Sequence, residues 1–274
     1  MKKFISLLSF EMNRFLKFLL PTLVIVAVLQ VFSALTKIFS YNSELERMVA
    51  RGESLDFVSE FTVHNITGST LFELSILLIV LMFAFYSFFT WYREWLGKNT
   101  FIYRLLMLPT NRTYVILTKS LVFLIGGLLA FAFQFGMYFV HLNLAEWLVT
   151  STHYQSLGIH DVQPMYGIIQ HVLFPKTVFQ FLSYYSFAFA ALISLFTGII
   201  IERSFGMKGF IFGVIYFVGY FTLFGLIRSI GYSFKSPITL LPSQLAIIVV
   251  VYQFIAIGLG YLISGQLLKK KIKV

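Results

Sequence analysis

The chain has 274 residues, 58% of them hydrophobic and 12% charged, with a net charge of +10. That balance excludes an ordinary soluble domain, and basic residues set beside apolar stretches point to anionic lipid headgroups as partner rather than nucleic acid. With no cysteine in the chain, a disulfide framework, a thiolate metal site and a cysteine nucleophile are all excluded.

Residues 1–19 predict an amphipathic helix. At about 100° per residue, Phe4, Ile5, Leu8, Met12, Phe15, Leu16 and Leu19 share an arc of about 120°. Lys2, Lys3, Ser6, Ser9, Asn13, Arg14 and Lys17 fall on the other side, with Leu7 and Phe10 as exceptions. Lys2-Lys3 and the apolar run after them have the start of a secretory signal, but Glu11, Arg14 and Lys17 interrupt it and no small-x-small cleavage site follows. A basic helix of this kind lies in the headgroup plane, as an anchor or as an elbow leaning on a cytoplasmic partner. Pro21 is expected to turn it into the first span.

Six stretches then follow that lack Asp, Glu, Lys and Arg: Phe18–Thr36, Leu74–Tyr92, Ser120–Ala145, Thr177–Ile201, Gly209–Ile227 and Ser236–Leu268. Each is long enough, as helix, to cross about 30 Å of hydrocarbon while satisfying its own backbone groups. The prediction is an all-α membrane protein, one transmembrane domain over 1–274, with spans near 20–38, 72–92, 119–143, 177–201, 209–228 and 243–267. Pro237 and Pro242 place the start of the last helix near Ser243.

If the N-terminus is cytoplasmic, the outer side keeps only Lys37, Arg47, Arg51, Lys176, Arg228 and Lys235 of the 21 basic residues. The acids run the other way, with Glu44, Glu46, Glu53, Asp56 and Glu60 outside. This Lys/Arg bias puts both termini in the cytoplasm.

The outer segments 41–69 and 146–176 are too long for simple turns. Leu45, Met48 and Val49 before Arg51-Gly52 suggest a short helix ended by the glycine, and Asn65-Ile66-Thr67 is a glycosylation sequon. His153, His160, Asp161 and His171, with His141 nearby, have no metal-ligand spacing, so no metal site is assigned.

Small residues recur every fourth position within the spans: Ser186, Ala190, Ser194 and Gly198 in the fourth, Gly209 and Gly213 in the fifth, Ala256, Gly260 and Ser264 in the sixth. Such stripes let helix backbones approach closely, within one subunit or across a dimer seam. An ion-coupled carrier would need a charged relay near the midplane, and the spans show none. Gln134 and Gln253, the deepest large polar groups, read as hydrogen-bonding partners for other helices. No H-E-x-x-H, paired glutamates, G-x-S-x-G or P-loop is present, so no catalytic residue is assigned and any ATP chemistry must come from another chain.

The segment after span two carries the densest signal. It runs Trp91-Tyr92-Arg93-Glu94-Trp95-Leu96-Gly97-Lys98-Asn99-Thr100-Phe101-Ile102-Tyr103-Arg104, then Leu105 to Leu108 and Pro109. Glu94 and Lys98 stand at i,i+4 and can support a short helix. An apolar ridge with basic flanks, shown to the cytosol, should dock on a partner or rest on lipid.

The start Ser9-Phe10-Glu11-Met12-Asn13-Arg14-Phe15-Leu16-Lys17 ahead of a proline resembles the opening of ABC-2-type transporter permeases. The run Tyr103 to Arg112, followed by Lys119 at the head of span three, resembles their loop between the second and third spans. The six-span layout matches that family across nearly the whole chain. The resemblance implies a coupling helix that docks on a separate nucleotide-binding subunit, with Glu94, Lys98, Thr100, Phe101, Tyr103 and Arg104 as contacts. It implies a second contact at the turn carrying Glu202 and Arg203. It also implies two copies of a cytoplasmic ATPase that bind ATP and Mg, a second permease subunit (identical or paralogous), no cofactor in this chain, and a bacterial plasma membrane location. Motifs of the polysaccharide and teichoic-acid exporters are not found, which leaves peptide, lipid or drug export. The 33 phenylalanines favour an amphipathic substrate, with exporters of cytolytic or antimicrobial peptides, such as phenol-soluble modulin exporters, as the nearest branch. An ATP-independent carrier or channel, or a membrane enzyme, remain the alternatives.

Overall fold

The structure is a computed structural model that describes residues 2–52, 58–96, 112–149, 154–155, 177–232 and 242–271. Among these the fold is all-helical: α1 Lys2–Ala50, α2 Val63–Thr67, α3 Thr70–Leu96, α4 Thr113–Leu148, α5 Val178–Phe205, α6 Met207–Tyr232 and α7 Pro242–Lys270. All but the short α2 are long and apolar enough to cross a bilayer. The loop residues expected at the docking ridge, Lys98, Thr100, Phe101, Tyr103 and Arg104, lie outside the described residues, as do His153, His160, Asp161 and His171.

The expected break at Pro21 is absent. Helix α1 runs unbroken from Lys2 to Ala50 with Pro21 inside it. The proline ring is exposed on the helix surface, and it leaves one carbonyl without its usual donor. The neighbouring Thr22 hydroxyl donates to the Phe18 carbonyl at 2.8 Å, one residue beyond the Lys17 carbonyl that Pro21 leaves without an amide donor. The helix expected around Leu45 to Val49 is the last part of α1, and Gly52, at φ 69°, closes it in a conformation that suits glycine.

The chain divides into two compact units. Unit 1 comprises Met1–Phe15, Phe85–Ile125 and Thr177–Val274. Its α5 packs on both α6 and α7. The reversal from α5 to α6 is a single residue, Gly206, at φ 62°. Gly209 then lies so close to α5 that a Cβ there would sit 2.5 Å from the Ile201 carbonyl oxygen. One turn further on, Gly213 faces Gly198, and a Cβ on either would run into the other's backbone. One residue before Gly198 on α5, the Thr197 hydroxyl donates to the Gly260 carbonyl at 3.3 Å and accepts from Ser264 at 3.0 Å. Ser186 donates to Gln253. The small-residue stripes therefore meet one another inside a single chain. Ala190 and Ser194 are buried, and Ala256 is half-buried on α7.

Unit 2 comprises Leu16–Ala84 and Gly126–Lys176. An apolar cluster of Ala34, Ile38, Phe61, Ile66, Ala145 and Val149 joins α1, α2 and α4, with Tyr41 and Tyr154 against it. The Gln155 amide donates to the Phe61 carbonyl at 3.1 Å, and the Asn42 amide to the Leu148 carbonyl at 2.8 Å. The described parts of the two long connecting segments are thus pinned to the helices they join. The sequon residue Asn65 is exposed, but its side-chain oxygen accepts from the Thr62 amide at 3.1 Å and caps α2.

Candidate functional site

Four charged residues converge in unit 1, from the start of α1, the end of α3 and the start of α4. Glu11 and Arg14 are one turn apart on α1, Glu94 lies near the last turn of α3, and Lys119 lies in the second turn of α4. Three of them are inside the protein, with Glu11 at 2%, Glu94 at 1% and Lys119 at 1% exposure. The Lys119 ammonium donates to Glu94 Oε1 at 2.9 Å, to Glu11 Oε1 at 3.2 Å, and to the Thr90 hydroxyl at 3.1 Å and carbonyl at 3.2 Å. Arg14 reaches Glu94 Oε1 at 3.3 Å. One lysine thus links two carboxylates from different helices, and the arginine balances the charge.

Aromatic rings close this cluster off. Lys119 lies 5.3 Å from the Trp91 ring centroid, Trp91 meets Phe196 edge-on at 5.5 Å, and Phe15 meets Tyr86 at 5.0 Å. Desolvated charges survive in such a place only when paired and hydrogen-bonded, and removing one partner leaves the other uncompensated. The four charges lie outside the uncharged stretches, close to the helix ends, where they join three helices. Glu94 was expected on an exposed docking surface; its carboxylate instead faces inward, because the helix of α3 carries it on the same side as the buried Ser87, Thr90 and Trp91.

Beside it in unit 1, the ends of α3 and α5 are tied together. The Tyr92 hydroxyl donates to Glu202 Oε2 at 2.6 Å. The Arg203 guanidinium lies 4.9 Å from the Tyr92 ring and 5.7 Å from the Trp95 ring, and 3.8 Å from Glu202 Oε1. Glu202 and Arg203 are both half-buried. An apolar groove runs up from this contact, lined by Phe88, Leu195, Gly198, Phe210, Gly213 and Phe217.

Among the described residues no three His, Asp or Glu side chains converge as metal ligands. The sequence reading missed the charged cluster, although a signal was there. Glu11 follows Phe4 by seven residues and precedes Phe15 by four, which sets it on the apolar arc of its helix. Lys119 follows Val115 by four and precedes Phe123 by four, both buried. A charge on an apolar face calls for a partner of opposite sign.

These features define a multi-pass, all-helical membrane protein with a buried charge cluster at one set of helix ends. No protein-family model, no characterised protein and no solved structure matches the chain.

Proposed function

We propose that the chain is the membrane subunit of an ABC-2-type exporter, moving an amphipathic peptide, lipid or drug out of the cell on ATP hydrolysed by a separate subunit. The observation that carries this reading is the Tyr92–Glu202 hydrogen bond with Arg203 against Tyr92 and Trp95. It brings the end of α3, which leads into the first docking segment, against the end of α5, which carries the second. A partner pressing on both would act on one contiguous surface. From there Lys119 would pass the movement from α3 to α1 and α4, since it hydrogen-bonds groups on α3 and α1 while belonging to α4.

In this reading two copies of the ATPase bind ATP and Mg, the permease is paired with a second subunit, both termini are cytoplasmic, and no catalytic residue is needed in this chain. The intrachain packing of the Gly198, Gly213 and Gly260 faces moves any dimer seam elsewhere. The exposed side of α6, with Ile211, Phe212 and Ile215, is one apolar surface available for it. A second reading, an ion-coupled carrier, draws on the buried carboxylates Glu11 and Glu94, but their shared lysine and their place at the helix ends favour a fastening role.

The test is co-purification of a P-loop ATPase with the detergent-solubilised protein from its native host, repeated with a Phe101→Ala, Tyr103→Ala, Arg104→Glu variant. The expected result is an ATPase that accompanies the native chain and is lost or uncoupled in the variant, with unchanged abundance in the membrane. Transport that persists in the triple variant would count against the mechanism.

A further inference from the structure

Unit 2 holds a second buried polar group, neutral and incompletely bonded. The Gln30 amide nitrogen on α1 donates to the Ser75 hydroxyl on α3 at 2.9 Å and to Gln134 Oε1 on α4 at 3.0 Å. Ser75 in turn donates to the Phe72 carbonyl at 2.6 Å. Gln30 Oε1 and the Gln134 amide nitrogen are left without any hydrogen-bond partner. Reversing both amides only changes which oxygen and which nitrogen are left over, because each side chain offers an acceptor and two donors to a site that engages half of them.

Two turns along α4 from Gln134, on the same face, is His141. It is fully buried, its ring lies edge-on to Phe72 at 5.9 Å, and its one near acceptor is the Gln30 backbone carbonyl, which leaves at least one ring nitrogen without a hydrogen-bond partner. Three side chains from two helices therefore present at least two donors and two acceptors to the same interior. Lipid offers nothing to satisfy them, and buried polar groups left unbonded in hydrocarbon are strongly disfavoured. Unit 1 has unbonded buried polar atoms too, among them Gln253 Nε2, Ser194 Oγ, Trp91 Nε1 and Glu94 Oε2, and the Gln253 oxygen is bonded by Ser186.

We propose that Gln30, Gln134 and His141 form an internal hydration site between α1, α3 and α4 of unit 2, in which water supplies the missing hydrogen bonds. Water fits because it both donates and accepts and bridges two to four polar groups. A charged ligand fits less well: Glu73, on this stretch of α3, is exposed, and of the three side chains only the titratable ring of His141 could meet a charge. The site is independent of the exporter reading and stands whether or not an ATPase binds the chain.

Hydroxyl-radical footprinting by X-ray radiolysis, on the full chain in lipid nanodiscs, tests it, because radicals formed from bound water label the residues beside that water. After correction for intrinsic ring reactivity, His141 should be oxidised several-fold faster than Phe196, which is equally buried and carries no polar side-chain atom. Phe72 should be labelled with it. Protection of His141 equal to that of Phe196 would overturn the proposal. In a Gln30→Leu, Gln134→Leu variant the His141 labelling should fall several-fold, and labelling that persists at the native rate would overturn the assignment of these two glutamines.

Discussion

The charged cluster of unit 1 and the polar cluster of unit 2 draw on the same three helices, α1, α3 and α4, and they are built on opposite rules. Around Lys119 every charge has an opposite charge within 3.3 Å, and aromatic rings close the cluster. Around Gln30 and Gln134 the groups are neutral, and hydrogen-bonding capacity is left over. A buried charge without its partner is far more costly than a buried amide without one. The first cluster must therefore keep its charges paired to exist, as it does although Glu94 Oε2 is left without a hydrogen bond, which suits a fastening. The second can stay incomplete where small molecules complete it, which suits a site that exchanges its contents.

The largest effect is expected at Lys119. Lys119→Met leaves Glu11 and Glu94 buried without their cation, which costs about 3–5 kcal/mol. The folded protein should be lost or its thermal transition lowered by many degrees, read by thermal unfolding in detergent. Adding Glu11→Gln and Glu94→Gln to the same variant should restore most of that stability, since removing a whole ion cluster is often nearly neutral. If the single variant is as stable as the native chain, the charges are not buried as described.

Next in size is Gly213→Leu, which drives a side chain into the Gly198 backbone and forces α5 and α6 apart, at about 1–3 kcal/mol or more. Gly219→Leu on the same helix has open space around its Cβ position and should leave stability unchanged. Comparison of the two by thermal unfolding separates packing from side-chain chemistry.

Tyr92→Phe removes the hydroxyl that donates to Glu202 and should cost about 1 kcal/mol, because the carboxylate is only half-buried. The smallest change in stability is expected for Gln30→Leu with Gln134→Leu, within about 1 kcal/mol of native, since both partners of the pair become apolar together. A large destabilisation there would mean that this cluster, like the other, is a fastening.

The apolar helices were legible in the sequence because hydropathy alone decides them: each uncharged stretch lies largely within one helix of the fold. Their ends were less so, since a helix continues past the apolar region wherever its backbone stays bonded, as α1 does to Ala50 and α4 from Thr113. Pro21 misled because a proline on an exposed helix face removes one bond without forcing a turn. Gln134 and Gln253 were read correctly as partners for other helices, bonding Gln30 and Ser186. Lys119 was read as a basic residue marking the head of a span, and Glu94 as a surface charge, because pairing between distant positions leaves no local trace. Only the place of Glu11 on an apolar arc gave that pairing away.

The account turns on the α5–α6 turn, next to the Tyr92–Glu202 contact, facing the cytoplasm. The chain has no cysteine, so single cysteines can be placed without background. Met207→Cys, at a residue 91% exposed in that turn, should react with an impermeant maleimide only after the cells are permeabilised. Glu46→Cys, on the exposed outer part of α1, should react in intact cells. Labelling of Met207→Cys from outside intact cells would contradict the docking assignment and the orientation on which it rests.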